Sequence, residues 1–338
     1  MLFKMIIPSF LIGFSYTFLL YNKIYFGVSL VTGIILLFYN FKFTKFDSNL
    51  LDKKLKITFF FTTFIFLLST LNSILIQRSF PVIIYLIIFI LISFYLMIFL
   101  KNNKQIFKNI VKFFTISTVI NILFIFFYNI YNTDFDHVTE IKRFKGVLNI
   151  ITIGVILLPF FNHNKKFFLL YVPLIPTLYI SNSNSPILGI IFGLSLIILY
   201  YLKLNFKIKG SFSFIFLITL LLSSFFLSKS LPSKFDKDSI NNQVFTIPTN
   251  LIDIHRQYIW GFSLKKIIEK PMLGYGPDTS NFINGSQIII GHESTGTMPF
   301  IPSHPHNFFI ELLLDTGFTG ALLFLFFIIF LNLQIFKY

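Results

Sequence analysis

Four of the six histidines in the chain, His255, His292, His304 and His306, fall within one polar stretch near the C-terminus. Imidazole is the side chain whose ordinary pKa best suits proton transfer near neutral pH. Two of the four lie in Ser303-His304-Pro305-His306-Asn307, directly before the last apolar stretch. A helix starting near Asn307 aims its N-terminal N–H groups and the positive end of its dipole at that segment, which favours an anion there. Arg256 adds a permanent planar cation matched to phosphate. Together these residues read as an anion pocket with a base in it. Three plainer readings stand beside that one. His306 could simply cap a helix and meet lipid headgroups. Arg256, close to Tyr258 and Trp260, could be an interfacial anchor. His304 and His306, with His292 or Glu293, could bind zinc, but no further ligand spacing stands out. Arg143, with Lys142 and Lys145, forms a second cationic cluster, suited to lipid phosphate or to balancing Asp134, Asp136 and Glu140. Glu311 and Asp315 fall at the start of the last helical region and read as complements to its dipole.

The elements that must position these groups are mostly membrane-embedded. The 338 residues are 55% hydrophobic and only 12% charged, against about 25% charged in a soluble domain. A membrane helix needs about 20 mostly apolar residues. Ten such stretches are present: Met5–Tyr21, Ile24–Phe41, Ile57–Ile76, Val82–Leu100, Phe113–Tyr131, Val147–Phe161, Phe167–Ile180, Pro186–Leu202, Phe212–Leu227 and Phe318–Phe336. The fold class expected is all-α, a polytopic transmembrane bundle. The first stretch follows Lys4 as a signal peptide would, but no small-residue cleavage site follows it and a second span comes at once, so it reads as retained. With no cysteine, disulfides and thiolate metal sites are excluded.

Basic residues alternate from loop to loop. Lys42, Lys45, Lys53, Lys54 and Lys56 follow span two; Lys101, Lys104, Lys108 and Lys112 follow span four; Lys165 and Lys166 follow span six; Lys203, Lys207 and Lys209 follow span eight. The intervening loops are poorer. The positive-inside rule places the rich loops and the N-terminus in the cytoplasm. Much of the net charge of +15 is then a topology signal, which argues against a nucleic-acid partner. The spans hold almost no ionisable residues, unlike those of ion pumps and proton-coupled transporters.

Pro232–Asn307 is long, polar and external by the same rule. Within it Leu251–Lys270 has apolar residues at 251, 254, 258, 259, 262, 264, 267 and 268, the spacing of an amphipathic helix. Asn250 caps it, Pro271 stops it, and Tyr258, Trp260 and Phe262 suit it to the membrane surface. Turns follow at Gly274, Gly276-Pro277 and Asn284-Gly285. The chain thus divides into a bundle of nine spans (1–231), an extracytoplasmic catalytic loop (232–307) and a final transmembrane region (308–338).

The segment 303–324, SHPHNFFIELLLDTGFTGALLF, carries His306-Asn307, nine residues, Gly317, two residues, Gly320. It resembles the signature of the O-antigen ligase/polymerase family. Residues 256–278, RQYIWGFSLKKIIEKPMLGYGPD, resemble the family's upstream block, and Arg143 with Gly146 before a span resembles a third feature. The resemblance implies a bacterial cytoplasmic-membrane glycosyltransferase of polysaccharide or lipopolysaccharide biosynthesis, acting at the outer face. It would move a glycan from a polyprenyl (undecaprenyl) diphosphate to an acceptor hydroxyl, on lipid A core for a ligase or on another lipid-linked glycan for a polymerase. Neither nucleotide nor metal is implied. On that reading His306 is the base, Arg256 stabilises the leaving diphosphate, Arg143 is a second clamp, and His304 and Asn307 orient the acceptor or the base. Relatives often carry an arginine before span eight, where this chain has Ser181-Asn182-Ser183-Asn184-Ser185. Many also continue beyond the tenth span, so the sequence reads as a short or truncated member. The alternative of another class is a polysaccharide flippase without chemistry.

A topology reporter fused at Ile290 is expected to read external; a cytoplasmic reading overturns both the topology and the reaction that depends on it.

Overall fold

The computed structural model describes residues 2–40, 53–131, 138–162, 169–181, 184–201, 254–292 and 296–335, with isolated positions between 211 and 231. Most of the stretch Phe212–Leu227 lies outside them, as do Asn250, Glu293, His137, His163, and the loop lysines Lys42, Lys45, Lys165, Lys166, Lys203, Lys207 and Lys209.

The protein is an all-α polytopic membrane protein. Its helices are α1 (Leu2–Phe14), α2 (Lys23–Asn40), α3 (Lys53–Leu71), α4 (Ile76–Asn102), α5 (Lys104–Tyr131), α6 (Val138–Asn162), α7 (Tyr171–Ile180), α8 (Asn184–Tyr201), α9 (Ile254–Glu269) and α10 (Phe308–Ile335). A 3-10 segment, Ser15–Leu20, continues α1. Among the described residues five stretches are long and apolar enough to cross a membrane: Phe3–Leu20, Lys23–Asn40, Ile76–Asn102, Lys104–Tyr131 and Phe308–Phe327. Shorter apolar helical stretches occur at Leu55–Leu71, Gly146–Leu158 and Tyr171–Ile180. The ten residues of α7 span about 15 Å at 1.5 Å per residue, half the hydrocarbon thickness. Phe89, Phe127 and Leu91 are mostly exposed, a pattern that suits lipid rather than water.

The chain groups into two compact units, Met1–Ser48 with Tyr95–Lys203, and Asn49–Phe94 with Leu204–Tyr338. In the first, Tyr16, Ile122, Val147, Leu148, Ile151, Leu174 and Leu178 are buried together. Helix-to-helix attraction in lipid lacks a hydrophobic drive and relies on close packing and polar contacts. Both occur here. The Tyr16 hydroxyl meets Thr118 Oγ1 at 2.7 Å, Asn121 Nδ2 donates to Thr17 Oγ1 at 2.9 Å, and Asn129 Nδ2 donates to Ser181 Oγ at 2.6 Å.

In the second unit the polar stretch is folded onto α10. The amphipathic helix appears as α9, but its aromatic face turns away from the expected headgroup position. Tyr258, Ile259, Phe262 and Ile267 are buried with Tyr275, Ile283, Phe300, Ile301, Ile310, Leu313 and Leu314. The Phe262 and Phe300 rings stack at 5.0 Å. A small antiparallel hairpin, β1 (Ile289–His292) with β2 (Gly296–Pro299), pairs Ile289 with Pro299 and His292 with Gly296. No strand was legible in a region so rich in turn residues.

Helix α10 begins at Phe308, ten residues before the apolar stretch Phe318–Phe336 expected from the sequence, and it breaks at Gly317, where φ is 64° and ψ is −164°. The break leaves carbonyls that the helix would otherwise satisfy. The Pro271–Gly276 turn supplies the donors: Tyr275 N–H bonds the Leu314 carbonyl at 2.7 Å, and Gly276 N–H bonds that of Asp315 at 3.1 Å. In return Phe318 N–H bonds the Pro271 carbonyl at 2.7 Å, and the Thr319 hydroxyl bonds that of Met272 at 2.7 Å. From α3, the Ser69 hydroxyl also reaches the Asp315 carbonyl. The backbones approach so closely that a Cβ on Gly317 would lie 2.4 Å from the Met272 oxygen, and one on Gly274 would lie 2.3 Å from the Leu314 oxygen.

Gly317→Ala therefore combines a left-handed conformation with a backbone collision. It is expected to cost at least about 2 kcal/mol, read as a lowered thermal unfolding midpoint of the detergent-solubilised protein. An unchanged midpoint contradicts the exchange of hydrogen bonds.

Candidate active site at the start of the last helix

Each functional side chain is held by a different part of this second unit. Asn307 is the N-cap of α10: its Oδ1 accepts N–H bonds from Phe309 at 3.1 Å and Ile310 at 3.3 Å, as expected of asparagine there. Its side-chain oxygen is thus committed to the backbone, and Asn307 sets the direction of the helix rather than offering that oxygen to a substrate. His306, immediately before it, has φ 55°, a left-handed conformation uncommon outside glycine. That turn presents the imidazole at the surface. Among the described residues no protein group hydrogen-bonds its ring, so both nitrogens are open to substrate. The His304 ring lies 4.3 Å from it, centroid to centroid, and His304 Nδ1 is 2.8 Å from the Ser303 hydroxyl.

Helix α9 carries the other half of the site. Trp260, the only tryptophan, donates its indole N–H to the Pro305 carbonyl at 3.0 Å. This bond fixes the peptide between the two histidines. His255 Nε2 donates to the Pro299 carbonyl at 3.1 Å, tying α9 to the hairpin; the acceptor-only partner puts the proton on Nε2. Arg256 is exposed and has no ion pair among the described residues, so its guanidinium is uncommitted. At the far end of α9, Glu269 pairs with Lys266 at 2.8 Å and accepts the Tyr275 hydroxyl at 3.2 Å. These bonds hold the Glu269 carboxyl below its usual pKa, with the Lys266 hydrogen bond as the largest cause, and so anchor the start of the turn.

The electrostatics decide what His306 can do. Its pKa lies below the ordinary imidazole value, first because burial disfavours the cation, then because His304, Arg256 and His255 are close enough to repel it. A histidine shifted that way is neutral at pH 7 and ready to accept a proton. Arg256 and His306, fifty residues apart in sequence, are thus within electrostatic reach of each other. Glu311, in the first turn of α10, lies in electrostatic reach of His304 and Asp278. The Asp315 carboxyl lies in electrostatic reach of Glu311 and Asp278.

His304, His306, Arg256 and Asn307 are thus brought together. Arg143 belongs to the first compact unit and its side chain is not among those described. His292 ends β1, its side chain likewise undescribed. No group of three His, Cys, Asp or Glu among the described residues could hold a metal ion. Trp260 and the Arg78–Asp278 pair, at 3.5 Å, were not legible as site residues. Trp260 looks like an ordinary interfacial aromatic, and the two partners of the pair are 200 residues apart.

Fold and site together define a polytopic membrane protein with a folded polar centre built on its last span. Residues 169–325 match the family described as O-antigen ligase, and they contain both halves of that centre. This match and the relatives that follow support the O-antigen ligase family. It is similar to a candidate polysaccharide ligase of Rickettsia prowazekii (strain Madrid E), 32% identical over 55% of this chain and 44% of the relative. It is also similar to one of Rickettsia conorii (strain ATCC VR-613 / Malish 7), 30% identical over 67% of this chain and 54% of the relative. The chain spans about half the length of the curated relatives it matches. No solved structure matches it significantly.

Because nearby positive charge helps hold the His306 pKa down, Arg256→Gln is expected to raise it. Titration of the His306 ring protons by NMR should show a wild-type midpoint below about 6.5 and a higher one in the variant. A midpoint that stays fixed or falls removes Arg256 from the site.

Proposed function

We propose that the protein is a glycosyltransferase of the cytoplasmic membrane. It transfers a glycan from a polyprenyl diphosphate carrier to an acceptor hydroxyl at the outer face. The single observation that carries this reading is His306 at the turn before α10 with Arg256 in electrostatic reach: an imidazole of lowered pKa and a guanidinium, neither with a hydrogen-bond or ion-pair partner among the described residues. A transferase with an anionic leaving group needs one of each.

In the reaction His306 takes the proton of the acceptor hydroxyl as its oxygen attacks the anomeric carbon of the donor sugar. The bond from that carbon to the diphosphate oxygen breaks, and the carrier leaves as the lipid diphosphate. Negative charge grows on the leaving group during this step, and Arg256 stabilises it more than it does the ground state. The positive end of the α10 dipole adds to the same field. His304, held by Ser303, faces His306 and positions the acceptor. Membrane tethering of the donor, and of an acceptor such as lipid A core or a second lipid-linked glycan, lowers the entropic cost of meeting. None of these steps calls on a metal or nucleotide. The dry spans and the built polar centre support transfer over transport.

The test is the surface-glycan profile of a host lacking the gene, complemented with wild type or His306→Ala. A loss of about 100-fold or more in transfer is expected for the variant. Long lipid-linked chains that never reach an acceptor identify a ligase; single repeat units on the acceptor identify a polymerase. Complementation by His306→Ala as full as by wild type removes the base and the reading with it.

A further inference from the structure

We propose that Arg78, Asp278 and Phe282 form a sugar-binding subsite beside the histidine segment, one that recognises the hydroxyls of a neutral glycan unit rather than the diphosphate. This rests on the transferase reading and adds to it where the sugar sits.

Arg78 lies in the first turn of α4. Its Nη1 lies 3.5 Å from Asp278 Oδ2, and both side chains are more than half exposed, 56% and 54%. A loose, solvated pair of this kind contributes little to stability. Among the described residues it leaves Asp278 Oδ1 and most of the guanidinium N–H groups without a hydrogen-bond partner. Yet the structure around it is closely built. The α3–α4 link and the start of α4 are fastened to the 275–278 turn by Ile74 N–H on the Tyr275 carbonyl at 3.1 Å and by the Ser79 hydroxyl on the Pro277 carbonyl at 2.7 Å. Asp278 itself is held left-handed, with φ 58°. Backbone strain of this sort persists only where the surroundings impose it. The Arg78 guanidinium stands 5.1 Å from the centre of the Phe282 ring, and Phe282 is 43% exposed. Finally, the Ser280 hydroxyl bonds the Ser303 carbonyl at 3.3 Å, which ties this turn directly to the segment bearing His304 and His306.

The charges decide between ligands. Arg78 is cancelled by Asp278, and Glu311 lies within electrostatic reach of the same carboxylate. An anion entering here gains no net attraction. Arg256, without an acidic partner among the described residues, is the better phosphate contact. A sugar finds what it needs: a carboxylate to accept from hydroxyls, a planar guanidinium to donate to them, and a partly exposed aromatic ring on whose face its C–H groups can pack.

The single tryptophan reports on the test, since Trp260 is bonded to Pro305 between the two histidines. Full-length protein in lipid nanodiscs is titrated by tryptophan fluorescence with two probes: undecaprenyl diphosphate carrying no sugar, and neutral oligosaccharide released by mild acid from the host's surface polysaccharide. Arg78→Ala and Phe282→Leu are each expected to weaken oligosaccharide binding about tenfold, the loss of one good contact, with undecaprenyl diphosphate affinity unchanged. Arg256→Ala is expected to do the reverse. If Arg78→Ala fails to fold, Arg78→Lys keeps the charge but removes the planar fork, and the same sugar-only loss is expected. In transfer assays a raised KM for the donor alone, or for the acceptor alone, says which glycan occupies the subsite. Loss of undecaprenyl diphosphate affinity in the Arg78 variants, or unchanged oligosaccharide affinity in all of them, overturns the proposal. Full transfer by His306→Ala would instead strike the transferase reading, and the binding results would stand apart from it.

Discussion

A reciprocal exchange of backbone hydrogen bonds at Gly317 holds the rest of the site in place. A helix entering a membrane cannot leave carbonyls bare in hydrocarbon. At the break in α10 the turn 271–276 donates to Leu314 and Asp315 and receives from Phe318 and Thr319. Only residues without a Cβ fit at the closest points, Gly274 and Gly317. The exchange locks the polar stretch to the top of the last span. The apolar cluster of α9, the turn and the start of α10 then closes over that junction. Were the exchange lost, the relation of Arg256 on α9 to His306 before α10 would rest on the Trp260–Pro305 bond and the apolar cluster alone.

From that lock the chemistry follows by short steps. Trp260 reaches the Pro305 carbonyl, Asn307 caps α10, and His306 is left at the one turned position between them. Its lowered pKa is a consequence of where it is put: partly buried, and crowded by two other histidines and an arginine. The same surroundings that hold the imidazole pKa down are the ones the proposed diphosphate donor would need. On that reading base and anion site come from one arrangement. The hydrogen bond from Ser280 to Ser303 carries the arrangement outwards to a part of the surface where charges cancel.

The helical, many-span character of the chain was legible because membrane insertion demands long apolar stretches, and these are visible without any knowledge of packing. So was α9, placed within three residues at its start and one at its end, since one-sided burial imposes a helical period. What that face packs against was not legible. Aromatic residues on an amphipathic helix near a membrane suit headgroups as well as a protein core, and here Phe300, Ile310 and Leu313 supplied the core. Helix α10 starts ten residues before the apolar stretch because Glu311 and Asp315 interrupt the hydrophobic run without interrupting the helix. Within the site, His306 and Arg256 could be read from residue type, but Trp260 and Asp278 act through backbone geometry and long-range contact, which spacing in sequence does not record. Gly317 stood out as part of a motif; its left-handed break needed coordinates.

The most direct measurement is made on purified protein in proteoliposomes supplied with a fluorescent lipid-linked glycan and an acceptor. The quantity followed is free polyprenyl diphosphate. The account predicts that it appears in step with glycosylated acceptor, only when acceptor is present, and along an acid limb set by a group titrating below the ordinary histidine range. If the lipid-linked glycan crosses the bilayer intact and no diphosphate is released, the protein moves its ligand without breaking a bond, and the account is wrong.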